Sequence, residues 1–220
     1  MRHLLLAALM LVPAQAAQLR VTVYDQVHLS KSIAGSVFLM LGDLLQASGI
    51  EIEVVAGDPA ADEATLIMAP AAPRPGMERQ TACRARRDIA LEIVARTPNG
   101  RRFTELGMAV PLATEGLNAR VFNENVLDAA ARQNRDYAMV LAHAIAHEIG
   151  HVLMRGRQHS RIGLMSSVWS EREYAWMTRN LMRFSREESG TMRASLTGAG
   201  CDPETSAEVL RRETSQMPKR

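Results

Sequence analysis

The residues with the clearest chemical potential lie in one short segment, where His147, Glu148 and His151 form the pattern H-E-x-x-H. Residues four apart in an α-helix are separated by about 40° around the axis, so both imidazoles leave the same face. Two imidazoles at this spacing can bind one zinc ion. The Glu148 carboxylate is too far round to be the natural third ligand, but it can reach a metal-bound water as a general base. The alternative is a buried His/Glu cluster without metal.

A catalytic zinc site needs a third protein ligand and an open position. His159 follows His151 by eight residues, and Gly156 between them can end the helix in a left-handed conformation that turns the chain back. The alternative third ligand is Glu171, twenty residues after His151. An acidic residue at this position is also expected without a metal, because it interacts favourably with the dipole at the start of a predicted helix. The predicted metal ligands are His147, His151 and His159, and the predicted catalytic residue is Glu148.

His143 lies one turn before His147 on the same helix face. It can be read as a partner of a ligand or as an alternative ligand. We favour the simpler interpretation, a helix-face histidine in partial contact with water, and leave His143 out of the metal set.

Hydrophobic periodicity predicts the elements that must position these residues. Strands are predicted at residues 19–24, 50–56 and 89–95, with a further short one at 65–68 and a sheet-edge strand at 117–122. Helices are predicted at 32–48, at 134–155 and from Ser170, where Glu173 completes a capping box. This order predicts an α/β (α+β) fold in which a mixed, twisted sheet packs on a long helix and an active-site helix.

The first residues are expected to lie outside the fold. Residues 1–16 are typical of a secretory signal peptide cleaved near Ala16 or Ala17. They contain a positive start at Arg2 and His3, an apolar run at residues 4–12 and an A-x-A pattern. We therefore expect a secreted or periplasmic bacterial protein, with a catalytic domain at 17–187 and a polar C-terminal tail at 188–220. In such a compartment Cys83 and Cys201 either form a disulfide or remain two free thiols.

The composition narrows the class of partner. Hydrophobic residues are 47% and charged residues 23%, which is normal for a globular protein. With only 4% aromatic residues, a net charge of +2 and no basic block, nothing favours nucleic-acid binding. Beyond the predicted signal peptide, no apolar stretch is long enough for stable membrane insertion. The partner expected from the site is a peptide or protein substrate, and the oligomeric state is open.

These residues resemble the metzincin clan of zinc metallopeptidases, whose pattern is H-E-x-x-H-x-x-G-x-x-H followed by a Met-containing turn. His147, Glu148 and His151 match directly, and Gly156 and His159 match after a two-residue insertion, with Met154 at the usual glycine position. The resemblance implies a zincin-like fold and places Met165 as the Met-turn residue, an apolar floor beneath the metal. The alternative for Met165 is ordinary core packing. Ser166 and Ser167 follow it, so the tyrosine that many metzincins place there is not implied.

The chain also resembles a group of small, largely uncharacterised secreted bacterial proteins that carry HEIGHxLxxxxxHSxxGLM and then a Trp, here Trp169. The spacing between the second and third histidines is the same, so the insertion is a feature of that group. The resemblance extends over roughly residues 19–185, more weakly upstream of the motif. The upstream matches are Val21–Tyr24, Ala47–Ile50 and Ala119–Phe122.

The resemblance implies a secreted zinc-dependent metalloendopeptidase, with Zn²⁺ as cofactor and a zinc-activated water attacking the peptide bond. Glu148 would act as general base. Two alternatives remain open at this point: a zinc- or peptide-binding module that does not turn over substrate, and a gluzincin-type peptidase that uses Glu171 as third ligand.

Overall fold

The computed structural model describes residues 16–57, 88–96, 105–109, 119–156 and 158–197. Several sequence predictions lie outside these residues: the signal peptide up to residue 15, the strand at 65–68, Cys83, Cys201 and the tail residues 198–220. Within the described ranges, none of the helices has the length and hydropathy of a membrane span.

Five strands in the described residues form one mixed sheet. They are β1 (Ala17–Asp25), β2 (Ile50–Ala56), β3 (Asp88–Val94), β4 (Gly107–Ala109) and β5 (Ala119–Phe122). Their order is β2-β1-β3-β5-β4, in which only the β4–β5 pair of these strands is antiparallel. The predicted mixed α/β fold is confirmed.

Helices cover the apolar face of this sheet. Within the described ranges they are α1 (Lys31–Gln46), α2 (Asn123–Arg132), α3 (Tyr137–Met154), α4 (Glu171–Thr178) and α5 (Arg186–Thr197). Leu19, Val21 and Val23 alternate along β1 and are buried, which is the pattern of a strand with one face in the core. Val37 and Leu41 of α1 belong to the same core.

The long helix α3 lies at the centre of the molecule. It packs against α1, α2 and α5 and against β4 and β5. Buried residues occur on all its sides, as expected for a helix enclosed by other elements. Asp136 caps the N-terminus of α3, and its side chain accepts a hydrogen bond of 2.9 Å from the backbone N–H of Met139. The helix therefore begins at Tyr137, three residues later than the sequence predicts.

The structure corrects the position of the edge strand. Residues 119–122 form β5, which lies between β3 and β4 instead of at the edge. Among the described residues the edge strand on that side is β4, a three-residue strand that contains Gly107 and is too short for an alternation pattern. The sequence analysis also missed α2, which is short and polar and buries little beyond Val126, Ala129 and Ala130.

Residues 188–197 also differ from the predicted loose tail, because they belong to α5. Met192 and Leu196 of α5 are buried. The hydroxyl of Ser189 lies 3.1 Å from that of Ser48, and the Arg193 guanidinium donates to the Ser48 backbone oxygen at 2.5 Å. These contacts dock the helix onto the end of α1, so its polar composition reflects its exposed side.

Candidate metal centre

The two histidines of the H-E-x-x-H pattern lie one turn apart near the end of α3. His151 is buried and His147 is half-buried. The Nδ1 atom of His147 donates to the backbone oxygen of Leu164 at 2.8 Å, and Nδ1 of His151 donates to that of Gly156, also at 2.8 Å. A carbonyl oxygen can only accept, so the proton of each neutral ring is on Nδ1. Both Nε2 atoms therefore carry lone pairs.

These lone pairs converge with a third from His159. The Nε2 atom of His151 lies 3.0 Å from Nε2 of His147 and 3.2 Å from Nε2 of His159. The ligand atoms of the three histidines all lie within 4.8 Å of one another. Nitrogen lone pairs at such distances repel unless a cation lies between them. Three imidazoles, two of which have their Nδ1 protons held by backbone oxygens, fit a zinc ion in donor type and in number.

The protonation state of His147 agrees with this role. Its pKa is lowered to about 4, mainly because burial disfavours the charged ring and also because His151 and His159 lie close by. The hydrogen bond to Leu164 acts in the opposite direction but is the smaller effect. At neutral pH the ring is therefore uncharged, which is the form that binds metal.

The turn after α3 brings His159 back to the helix, but not at the residue that the sequence predicts. Arg155 adopts the left-handed conformation, with φ 55° and ψ 34°, one residue before Gly156. The backbone N–H of Gly156 donates to the His151 oxygen at 3.3 Å and closes the turn. Gly156 instead supplies the oxygen that orients the His151 ring.

Glu148 is buried beside the metal-ligating face. Burial raises the pKa of its carboxyl to about 8. A cation held by the adjacent histidines would lower this pKa again, because an opposite charge favours the carboxylate. Strand β4 lies directly on Glu148: a Cβ on Gly107 would be 2.8 Å from both Cγ and Oε1 of Glu148. The glycine is therefore required for β4 to approach the Glu148 carboxylate this closely.

Met165 is buried against α3, in a tight turn. The backbone N–H of Ser160 donates to the Met165 oxygen at 2.8 Å, and that of Ser166 donates to Gly163 at 3.1 Å. A Cβ on Gly150 would be 2.6 Å from the Met165 sulfur. Met165 is thus packed on the helix turn between the two ligating histidines of α3, which agrees with an apolar floor beneath the site.

Comparisons with known proteins bear on the fold. No family model matches the sequence, and no curated protein matches it. The structure matches the crystal structure of archaemetzincin from Methanopyrus kandleri with a TM-score of 0.50 and 16% sequence identity. The match covers 85% of this chain and 99% of that one. The chain has an archaemetzincin-like fold. At this identity the likeness extends to the fold alone, and at that level it supports the resemblance to metzincins.

The archaemetzincin-like fold leaves a cavity of about 600 Å³ over the histidines. It is bounded by α3, by β4, by the end of α2 and by the segment that leads into α4. Trp169 stands in its wall with its ring centroid 5.9 Å from that of His147, and its indole N–H donates to the Leu164 oxygen at 3.2 Å. The same oxygen accepts from His147, so Leu164 connects the tryptophan to the metal-ligating ring.

Two other predicted residues lie elsewhere. Glu171 is exposed in the first turn of α4 and is not in the histidine cluster; the predicted capping box of Ser170 and Glu173 is confirmed there. His143 is also outside the cluster, but it is 3% exposed, so the expected contact with water is wrong. Its ring is enclosed because α3 is covered on all sides.

Sequence reasoning missed several residues of the cavity, namely Gly107, Arg132, Gln133 and Tyr174. Arg132 and Gln133 end α2, a helix that was not predicted. Tyr174 lies in the first turn of α4, seven residues beyond Ser167 and therefore outside the two positions where many metzincins have a tyrosine. The capping box, which fixes the start of α4, was the one available signal for its position.

Proposed function

We propose that this protein is a secreted or periplasmic zinc-dependent metalloendopeptidase. The observation that carries the proposal is the convergence of three Nε2 atoms, from His147, His151 and His159, in a cavity that also holds the buried Glu148 carboxylate. A structural zinc site would have four protein ligands and no need for such a cavity, whereas a catalytic one has three and an open side. The archaemetzincin-like fold supports the same conclusion.

His147, His151 and His159 would hold the ion. A bound zinc ion supplies a Lewis acid for the substrate carbonyl and for the attacking water. Glu148 accepts the proton of that water on its carboxylate and delivers it to the leaving amine. Enclosure of Glu148 between α3 and β4 keeps bulk water from competing for this proton.

Strand β4 is the element best placed to align a substrate. It ends the sheet next to the cavity, and its residues Gly107, Met108 and Ala109 line that cavity. An extended peptide can pair with the backbone of such an edge and present one bond to the reacting groups. We therefore assign substrate pairing to β4, because β5, within the predicted edge segment 117–122, lies between β3 and β4.

The test begins with zinc content, measured by elemental analysis on the mature wild-type protein and on His159→Ala. We expect about one zinc per chain in the wild type and a loss of most of it in the variant. If His159→Ala keeps its zinc, the three-histidine site is wrong and Glu171 becomes the leading third ligand.

Activity is tested separately, on casein and a mixed peptide library. Glu148→Ala should keep its zinc and lose hydrolysis by about 10³-fold. A zinc-loaded wild type that cleaves nothing would favour the alternative of a non-catalytic zinc- or peptide-binding module. Fractionation of the producing cells with N-terminal sequencing tests export, for which we expect a mature chain beginning near Gln18.

A further inference from the structure

The cavity lining carries hydrogen-bond donors that the hydrolytic step does not use. Arg132 and Gln133 reach it from the end of α2, and Tyr174 reaches it from α4. Two of these groups, the guanidinium and the side-chain amide, have N–H donors, and the third has a phenolic O–H. The acidic residues that line the cavity, Glu105 and Glu148, come from the β4 side and from α3.

Tyr174 is buried but its hydroxyl is not engaged. The residue is 6% exposed, and the hydroxyl makes no hydrogen bond to any residue that the structure describes. Its ring is held edge-on by Trp169, with the ring centroids 6.1 Å apart. Burial raises the pKa of Tyr174, and the positive charge of Arg132 acts in the opposite direction as the smaller effect. Both residues line the same cavity. The hydroxyl is therefore a donor at neutral pH.

Arg132 keeps its charge available for a ligand. Its contact on the protein is with Asp128, one turn earlier in α2, at 3.8 Å, with both side chains more than 60% exposed. An exposed ion pair at this distance contributes little to stability. Arg132 can therefore leave Asp128 and bind the carboxylate of a ligand at little cost in free energy. Beside Arg132, the small side chains of Ala129 and Ala144 line the cavity and leave room for an incoming chain.

We propose that Arg132 and Tyr174, with Gln133 beside them, form a subsite for a carboxylate of the peptide substrate. The inference rests on the proposed peptidase function and adds a substrate class to it. A guanidinium fork matches the two oxygens of a carboxylate and forms charge-assisted hydrogen bonds, roughly twice as strong as those to a neutral carbonyl oxygen. The phenolic O–H is one further donor to the same group. The carboxylate is either an acidic side chain next to the cleaved bond or the free C-terminus of a short peptide.

Two pairs of peptides distinguish these sources. One pair differs only in Glu or Gln near the cleaved bond, and the other only in a free or amidated C-terminus. In one of these two peptide pairs, the peptide with the carboxylate should be preferred roughly tenfold in kcat/KM. This is the effect expected for one charge-assisted hydrogen-bonded contact. Arg132→Gln should reduce that preference to about one, Arg132→Lys should keep part of it, and Tyr174→Phe should lower it several-fold.

The matched control is Arg20→Gln, which removes an exposed arginine from an ion pair with Glu53 on the far side of the sheet. It should leave the preference unchanged. Zinc content and the unfolding midpoint verify that each variant is folded and loaded. A preference within twofold in both pairs, or one that Arg132→Gln leaves intact, overturns the subsite.

Binding separates this result from a failure of the proposed function. Affinities of the same peptides are measured calorimetrically on zinc-loaded Glu148→Ala, with and without Arg132→Gln. If the wild type hydrolyses nothing but the carboxylate peptides bind roughly tenfold tighter through Arg132, the subsite stands and the peptidase proposal falls. Equal binding of charged and uncharged peptides overturns the subsite even if hydrolysis is observed.

Discussion

His143 and His147 lie one turn apart on the same helix, and their surroundings show what makes a histidine a metal ligand. Both have their pKa lowered to about 4, chiefly by burial, and both donate from Nδ1 to a backbone oxygen at 2.8 Å. The His143 partner is Met139, in the same helix, whereas the His147 partner is Leu164, in the turn that follows. The Nε2 atom of His143 is buried without a hydrogen-bond partner, while that of His147 faces two other imidazoles.

Helical spacing alone therefore does not determine which histidine joins the cluster. The His143 ring donates to its own helix, and its Nε2 atom is then buried without a hydrogen-bond partner. A ring that donates to a second segment is turned toward the place where that segment brings further donors. Tertiary contacts of Gly156 and Leu164 therefore decide which histidines of α3 converge with His159.

The strongest test of this comparison replaces each histidine by leucine. His147→Leu should weaken zinc binding by at least about 100-fold, because one of three protein ligands is lost. His143→Leu should leave zinc content near that of the wild type. Zinc affinity measured by chelator competition compares the two, and similar losses in both variants would contradict the assignment.

The pH dependence of stability should reveal His143 directly. Its pKa lies near 4 in the folded chain and near 6.5 when unfolded, because burial, and secondarily the charge of Arg183, disfavour the protonated ring; the hydrogen bond to Met139 opposes them. Protonation therefore favours unfolding. The stability that the neutral ring contributes is complete above pH 6.5 and falls, by about 3 kcal/mol in all, as the pH drops toward 4.

Urea unfolding of the zinc-free protein between pH 7 and pH 4 measures this fall. His143→Leu should remove most of the contribution, so the two proteins should diverge in their pH dependence below pH 6.5. Parallel pH profiles would show that His143 is not buried in the neutral form.

A smaller effect is expected where the ligating half of α3 packs on the turn. Gly150→Ala would place a Cβ 2.6 Å from the Met165 sulfur and 2.8 Å from Cε1 of Phe184, and should destabilise the fold by about 1–3 kcal/mol. The matched control is Gly42→Ala in α1, where a Cβ has nothing within 4 Å and should stabilise by about 0.5–1 kcal/mol. Equal effects on the free energy of unfolding would refute the close contact.

The smallest effect is expected at Trp169. Trp169→Phe removes the N–H that donates to Leu164, the residue that orients His147, and should weaken zinc binding by a few-fold to tenfold. Trp176→Phe serves as control, since its ring contacts Arg172 and lies outside the cavity lining. A change of the same size in both variants would mean that the Leu164 contact has no special role.

Much of the fold could be predicted because strong periodicity reports burial directly. The strand at residues 50–56 was predicted with the bounds that the structure shows, and β1, β3 and α1 agree within two residues. The failures have physical reasons as well. β4 has three residues, and α2 is amphipathic over only a short length. Neither segment is long enough for its hydrophobic periodicity to be distinguished from a chance arrangement of residues. The tail prediction at 188–197 failed because α5 buries few residues in a polar sequence.

The candidate donor set follows from local sequence alone. The types and spacings of His147, Glu148, His151 and His159 define a possible ligand face, a base and a third imidazole. Those features are local, because an α-helix has a fixed period and a tight turn has a short reach. Long-range packing keeps His143 out of the histidine cluster, brings β4 onto Glu148 at Gly107, and places Arg132 and Tyr174 in the lining of the same cavity. These depend on how segments far apart in the chain pack together, and no local pattern records that packing.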